Sequence, residues 1–263
     1  MYEFDYNRPT SLEDAARGLS DADAKLVAGG MTLIPTLKMR LAKPSQLIDL
    51  GAIAALKGIT EEGDAVVIGA MTRHAEVNRS AVVKRAIPAL AALAGMIGDP
   101  AVRNRGTIGG SIANNDPAAD YPAAVVALNA FVRTDKREIA ADDFFTGLFE
   151  TALGEGEIVT GVRFPKVAQA NYQKFRNPAS RYAIVGVFVA RTGSGVRVAV
   201  TGAGACVFRV PAMEAALARS FTPDAIKDIA IPDTGLNSDI HASAEYRAHL
   251  VNVMARRAVA ACG

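Results

Sequence analysis

The stretch from Asp99 to Pro122 constrains this chain more than any other, because it is rich in glycine, asparagine, aspartate, proline and serine and has no clear periodicity. A segment of that length without structure inside a compact domain is usually a functional loop or a misread element; we expect a functional loop. It contains Thr107-Ile108-Gly109-Gly110-Ser111. A second glycine pair, in Ala28-Gly29-Gly30-Met31-Thr32, follows a short strand-like run. Glycine lets backbone approach an oxyanion closely, and the hydroxyls of Thr32, Thr107 and Ser111 add donors, so each segment can serve one phosphate. Each segment alone reads equally well as a tight turn. Neither matches G-x-G-x-x-G or the lysine-bearing P-loop, which weighs against a simple Rossmann or nucleoside-triphosphate site.

The 263 residues suit one large domain or two to three small ones. With 50% hydrophobic and 21% charged residues, the chain can bury a real core. Its net charge of +2 supplies no broad field for a polyanion, so nucleic acid is not expected and phosphate recognition must be local. The longest apolar stretch, Ala123 to Val132, is interrupted by Asn129 and falls short of the roughly 20 residues a membrane helix needs. No secretory pattern follows Met1, and the cytoplasm is expected. Cys206 and Cys262 are the only cysteines, too few for a four-thiolate iron-sulfur cluster.

Thr10-Ser11-Leu12-Glu13 has a capping-box pattern before apolar residues at helical spacing. Lys25 to Ala28 predicts a strand, and Leu33 to Leu41 a helix with Pro35 in its first turn. Gln46 to Leu50 and Ala65 to Ala70 predict strands, and Val82 to Ile97 one helix ending at Gly98. Ala183 to Ala190 and Val196 to Val200 predict an antiparallel hairpin. Ala212 to Ala218 and Ala242 to Ala261 predict helices, so the last hundred residues form a distinct α+β module.

Arg103 and Arg105 precede the second glycine segment, as diphosphate partners or as solvated cations. Asn114, Asp116 and Asp120 follow it, and Asp116 beside Pro117 reads best as a turn former. His74, His241 and His249 lack partners at metal-ligand spacing, although the last two share a candidate helix, so no metal site is expected. Gly193-Ser194-Gly195 is only a turn, and no catalytic constellation is visible. Lys174 and Phe175, then Arg181 and Tyr182, can place a cation or an aromatic near a ring, or serve as ion-pair and core residues.

Together these residues resemble the medium, flavin-binding subunit of the xanthine dehydrogenase and carbon monoxide dehydrogenase family of molybdenum hydroxylases. The resemblance runs from Phe4-Asp5-Tyr6-Asn7-Arg8-Pro9 through Ala28 to Pro35, Ile48-Asp49-Leu50 and Ile68-Gly69-Ala70. It is most specific at Val102 to Asn114 with Pro117 and Asp120, and extends to Tyr246-Arg247 and Arg256-Arg257-Ala258. It implies an α+β fold: an FAD-binding domain of two lobes, 1–57 and 58–168, then a C-terminal domain, 169–263, with a three-stranded antiparallel sheet and helices. It implies FAD as cofactor, with its pyrophosphate on Ala28, Gly29, Gly30, Met31 and Thr32 and on Thr107, Ile108, Gly109, Gly110 and Ser111. Asp120 would contact the flavin nucleotide, and Ile97, Val159 and Lys174 would occupy further contact positions. Met31 departs from the polar residue many relatives carry.

The resemblance also implies two partners, a large subunit with a molybdenum cofactor and a small subunit with two-iron two-sulfur clusters. Electrons would pass from the clusters to FAD and on to a quinone, NAD or another acceptor. A self-sufficient FAD oxidoreductase of the same flavin fold and a non-catalytic nucleotide-binding assembly protein are the competing readings.

Overall fold

The computed structural model describes residues 1–262 and contains three main sheets in chain order. The first joins β1 (Asp5–Asn7), β2 (Lys25–Val27) and β3 (Gln46–Asp49) in the order β1-β3-β2, all parallel. Parallel neighbours need crossovers, supplied by α1 (Leu12–Gly18) and α2 (Leu33–Lys38). The N-cap of α1 is Ser11, which accepts from the Asp14 amide; the Thr10/Glu13 pairing is therefore displaced by one residue.

The second sheet has the order β4-β5-β10-β6-β7, formed by β4 (Ile59–Glu62), β5 (Ala65–Gly69), β6 (Phe131–Thr134), β7 (Glu138–Ala140) and, later, β10 (Val159–Pro165). All its pairings are antiparallel. Between β5 and β6 the chain forms α3 (His74–Arg79), α4 (Ala81–Ala86), α5 (Pro88–Gly95), α6 (Pro100–Arg103), α7 (Ile108–Asn114) and α8 (Tyr121–Ala127). Two expectations fail here. The helix expected over Val82 to Ile97 is two helices, broken at Ile87 (φ −148°, ψ 69°) because Pro88 bars the preceding residue from helical geometry. The expected loop from Asp99 to Pro122 contains α6, α7 and the start of α8. Its Asp99 and Thr107 are N-caps, and Pro100 and Pro122 sit in first turns. After β7 come α9 (Ala141–Phe144) and a small hairpin of β8 (Phe145–Gly147) and β9 (Glu150–Thr151).

The C-terminal sheet has four antiparallel strands rather than three: β11 (Ala170–Arg176), β12 (Ala183–Thr192), β13 (Gly195–Thr201) and the two-residue β14 (Phe208–Arg209). Two helices complete this module, α10 (Pro211–Arg219) and α11 (Ala244–Ala260). His241 lies before α11, so it and His249 do not share a helix.

Strand β12 is buried on both faces, which is why its sequence is a continuous apolar run. Val185, Val187 and Val189 pack with Leu250, Val251 and Met254 of α11, while Phe188 and Ala190 join the core around Tyr121 and Val125 of α8. Each such valine contributes about 1.5 to 3 kcal/mol of burial. The sheet is thus clamped to α8, and β11 is held against the start of that helix. No helix among the described residues is long and apolar enough to cross a membrane.

Candidate functional site

Strand β2 ends at Val27 and delivers Ala28 to Thr32 to α2. Gly30 has φ +74°, the left-handed region that other residues adopt at a cost, and its carbonyl accepts from Ile34. The amides of Gly29, Gly30, Met31 and Thr32 form no hydrogen bond among the described residues, and Thr32 makes no side-chain cap. A run of unpaired amides around one turn is an anion-binding concavity.

The second segment is built differently. Thr107 caps α7, and its Oγ1 accepts from the Gly110 amide at 3.2 Å. The Ile108 amide donates to the Thr72 carbonyl at 3.1 Å and the Gly109 amide to the Ala70 carbonyl at 2.9 Å. Three first-turn donors are therefore used within the fold. Gly109 is required because a Cβ would lie 2.5 Å from that of Ala70. The two segments touch: a Cβ on Gly110 would stand 3.3 Å from that of Ala28.

A cavity of about 570 Å³ opens where they meet, a size typical of a small-molecule site. Of the residues the resemblance assigned to the cofactor, Ala28, Gly29, Gly30, Met31, Thr32, Ile97, Thr107, Gly109, Gly110, Ser111, Asp120 and Val159 line it, as do Asn114, Asp116, Arg181 and Tyr182 among the other candidates. Ile108 and Lys174 do not. The Ile108 side chain is fully buried in the core, and the Lys174 ammonium lies behind the wall, on Asp120 Oδ2 at 2.8 Å. Asp120 also accepts from the Tyr172 hydroxyl. Burial pushes the Asp120 carboxyl up, opposed by the Lys174 charge and by both hydrogen bonds. Arg103 ties down the cavity's corner, donating to the Ile97 and Gly98 carbonyls at 2.9 and 3.0 Å. Asp116 accepts from the Ala118 amide, the turn expected of it.

His74 and Phe149 also line the cavity, and the sequence reading assigned neither to it. Phe149 tips the β8–β9 hairpin at φ +55°, a strained position for a bulky residue. No local pattern announces it. His74 follows Thr72-Arg73 at the mouth of α3, and only the fold brings it against Gly106. Among the described residues no group of three His, Cys, Asp or Glu side chains converges to hold a metal.

Residues 2–167 match the model for the FAD binding domain in molybdopterin dehydrogenase, and residues 170–262 match that for the CO dehydrogenase flavoprotein C-terminal domain. The nicotine 6-hydroxylase medium subunit of Paenarthrobacter nicotinovorans is 39% identical, over 98% of this chain and 96% of that protein. The carbon monoxide dehydrogenase medium chain of Hydrogenophaga pseudoflava is 37% identical, over 97% of this chain and 96% of its own. In three dimensions the chain superposes on a structure of carbon monoxide dehydrogenase from Hydrogenophaga pseudoflava, with TM-score 0.90 and 37% identity over 99% of this chain and 97% of that one. Quinoline 2-oxidoreductase from Pseudomonas putida 86 gives TM-score 0.90 at 28% identity, over 99% and 97% of the two chains.

The residues present fit a flavin dinucleotide. Unpaired amides at Gly29 to Thr32 suit a diphosphate, and the cavity beside them is lined by both polar and apolar residues, as a nucleotide with rings and sugar requires. The chain belongs to the FAD-binding medium subunits of the xanthine dehydrogenase and carbon monoxide dehydrogenase family of molybdenum hydroxylases, and its cofactor is FAD.

Proposed function

We propose that FAD lies in the cavity with its diphosphate on the free amides of the first glycine segment. In this reading Thr107, Gly109, Gly110 and Ser111 form the facing wall, and Asp120, Ile97 and Val159 contact the rest of the nucleotide. Ile108 and Lys174 act from behind, the first by fixing α7 and the second by fixing Asp120. The observation that carries this assignment is the row of unpaired amides from Gly29 to Thr32.

The flavin, when bound, exchanges electrons as a pair or singly, a task that needs positioning and a defined field rather than an acid-base dyad. We divide the chain into an FAD-binding domain, with lobes at 1–57 and 58–168, and a C-terminal domain at 169–263. It assembles with a large subunit carrying the molybdenum cofactor, where substrate is oxidised, and with a small subunit carrying two-iron two-sulfur clusters that feed the FAD. Electrons leave for an external acceptor. Two facts support a need for partners: Cys206 and Cys262 are both unpaired thiols, too few for a cluster, and similar proteins are named as medium subunits. The two free thiols also suit the cytoplasm we assign.

The test is to purify the native assembly through this chain and measure its flavin, iron and molybdenum. Bound FAD together with iron and molybdenum on co-purifying chains is the expected result. A colourless preparation that takes up no added FAD would overturn the cofactor assignment, and substrate turnover by the isolated chain would overturn the division of labour.

A further inference from the structure

His74, the first residue of α3, is 4% exposed and lines the cavity beside Gly106. The ring is wedged in place. A Cβ on Gly106 would come within 2.6 Å of His74 Nε2, and the ring of Tyr121 lies 5.3 Å away, tilted by 51°. Neither imidazole nitrogen has a hydrogen-bond partner among the described residues. Nδ1 and the hydroxyl of neighbouring Tyr121 are both fully buried and unpaired. Buried polar groups are almost always paired in folded proteins; Nδ1 and the Tyr121 hydroxyl are sealed off from the cavity, so Nε2, unpartnered and not fully enclosed, is the His74 atom that can meet a ligand there.

Burial, aided by the positive charge of Arg103, holds His74 at a pKa of about 4, so the ring is neutral near pH 7. A neutral imidazole offers one donor and one acceptor and no charge. Such a ring suits an uncharged polar group better than a phosphate. The free amides that suit the diphosphate lie elsewhere, on the first glycine segment.

We propose that His74 is a further cofactor-binding residue, hydrogen-bonding an uncharged polar group in the ring or sugar portion of the bound flavin nucleotide. This rests on the assignment of the cavity to FAD. His74 thereby joins the second glycine segment to the ligand, since its own amide donates to the Gly106 carbonyl at 3.0 Å, directly ahead of Thr107.

The experiment titrates FAD into the deflavinated full-length chain for wild type, His74→Phe and Gly110→Val, each at low and high salt. Phe keeps the ring packing on Tyr121 and Gly106 and removes both polar atoms. We expect His74→Phe to bind FAD roughly tenfold more weakly, with the wild-type salt dependence and an unliganded Tm no lower than wild type. Wild-type affinity in His74→Phe beside lost binding in Gly110→Val would overturn the role of His74 and leave the cavity assignment standing. A flattened salt dependence in His74→Phe would show a charged contact and overturn the proposal equally. Failure of the wild type to bind FAD would overturn both. Should His74→Phe not fold, His74→Met takes its place with the same expected and overturning results.

Discussion

Gly29 stands directly against the backbone of Arg105: a Cβ built on Gly29 would lie 2.2 Å from the Arg105 carbonyl oxygen and 2.8 Å from the Gly106 Cα. Both obstacles are main chain, so neither can rotate away. The contact joins the first glycine segment to the backbone leading into the second, where Gly29 and Gly106 both line the cavity. Gly29→Ala must therefore push the two glycine segments apart, an overpacking cost of about 1 to 3 kcal/mol. For a chain of this size the unliganded Tm should fall by roughly 2 to 5 °C, and FAD retention should fall with it. An unchanged Tm would mean that the segments separate freely and do not form one rigid wall.

Asn115 ends α7 in the left-handed region at φ +42°, and its buried amide donates to the carbonyls of Gly147 and Glu150 at 2.8 and 2.7 Å. One side chain thus fastens the β8–β9 hairpin, with Phe149 at its tip, to the helix whose other end carries Gly109 and Gly110. Asn115→Ala removes both bonds and leaves alanine in a strained conformation, together costing about 2 to 3 kcal/mol. Limited proteolysis should then cut near Leu148 and Phe149 in the variant well before wild type. Equal cleavage rates would show that the hairpin holds its place without Asn115.

Much of this architecture was legible locally. The run Ala183 to Ala190 read as a strand because it is buried on both faces, and the Ala28 to Thr32 turn read correctly between a strand and a helix. The segment from Asp99 to Pro122 misled because Asp, Thr and Pro serve both turns and helix starts, and α6 and α7 are too short for periodicity to show. Strand β14, only two residues long, carries no alternation at all. Which glycine segment keeps free amides was not legible either, since the amides of Ile108 and Gly109 are satisfied by Thr72 and Ala70, far away in sequence. The same holds for His74, a lone histidine whose burial and missing partners are set wholly by tertiary packing.

The depressed pKa of His74 makes a prediction about acid stability that does not involve the cofactor. An unfolded imidazole binds its proton near 6.5, whereas the buried one waits until about 4. In that window the unfolded state binds more protons, so stability falls as pH drops from 6.5 toward 4. Between about pH 7.5 and pH 5 the site should remove about 2 kcal/mol. Glu157, held near 2 by Arg137, contributes only at more acid pH. Urea unfolding of the deflavinated chain should therefore show a shallower pH dependence in His74→Gln than in wild type. Parallel curves would place the neutral buried ring in doubt.

The Asp120–Lys174 pair tests how the C-terminal module shapes the cavity. The side chains are 4% and 2% exposed, and Lys174 reaches from β11 to the residue that begins α8. Removing one partner leaves a charge in the interior, so Lys174→Met should destabilise by about 3 to 5 kcal/mol near neutral pH. The double variant Asp120→Asn/Lys174→Met, with no charge to strand, should recover part of that loss, with a coupling energy above about 1 kcal/mol. The pH dependence separates this from simple loss of packing. Without Lys174, the carboxyl that burial already pushes upward takes up a proton more readily. Its penalty should shrink as pH falls, while that of the double variant should not. Guanidinium unfolding of the three chains at neutral and mildly acid pH measures both effects. Additive losses with no pH dependence would mean that the ammonium and carboxylate merely lie side by side, and that Lys174 does not set the charge of the cavity wall.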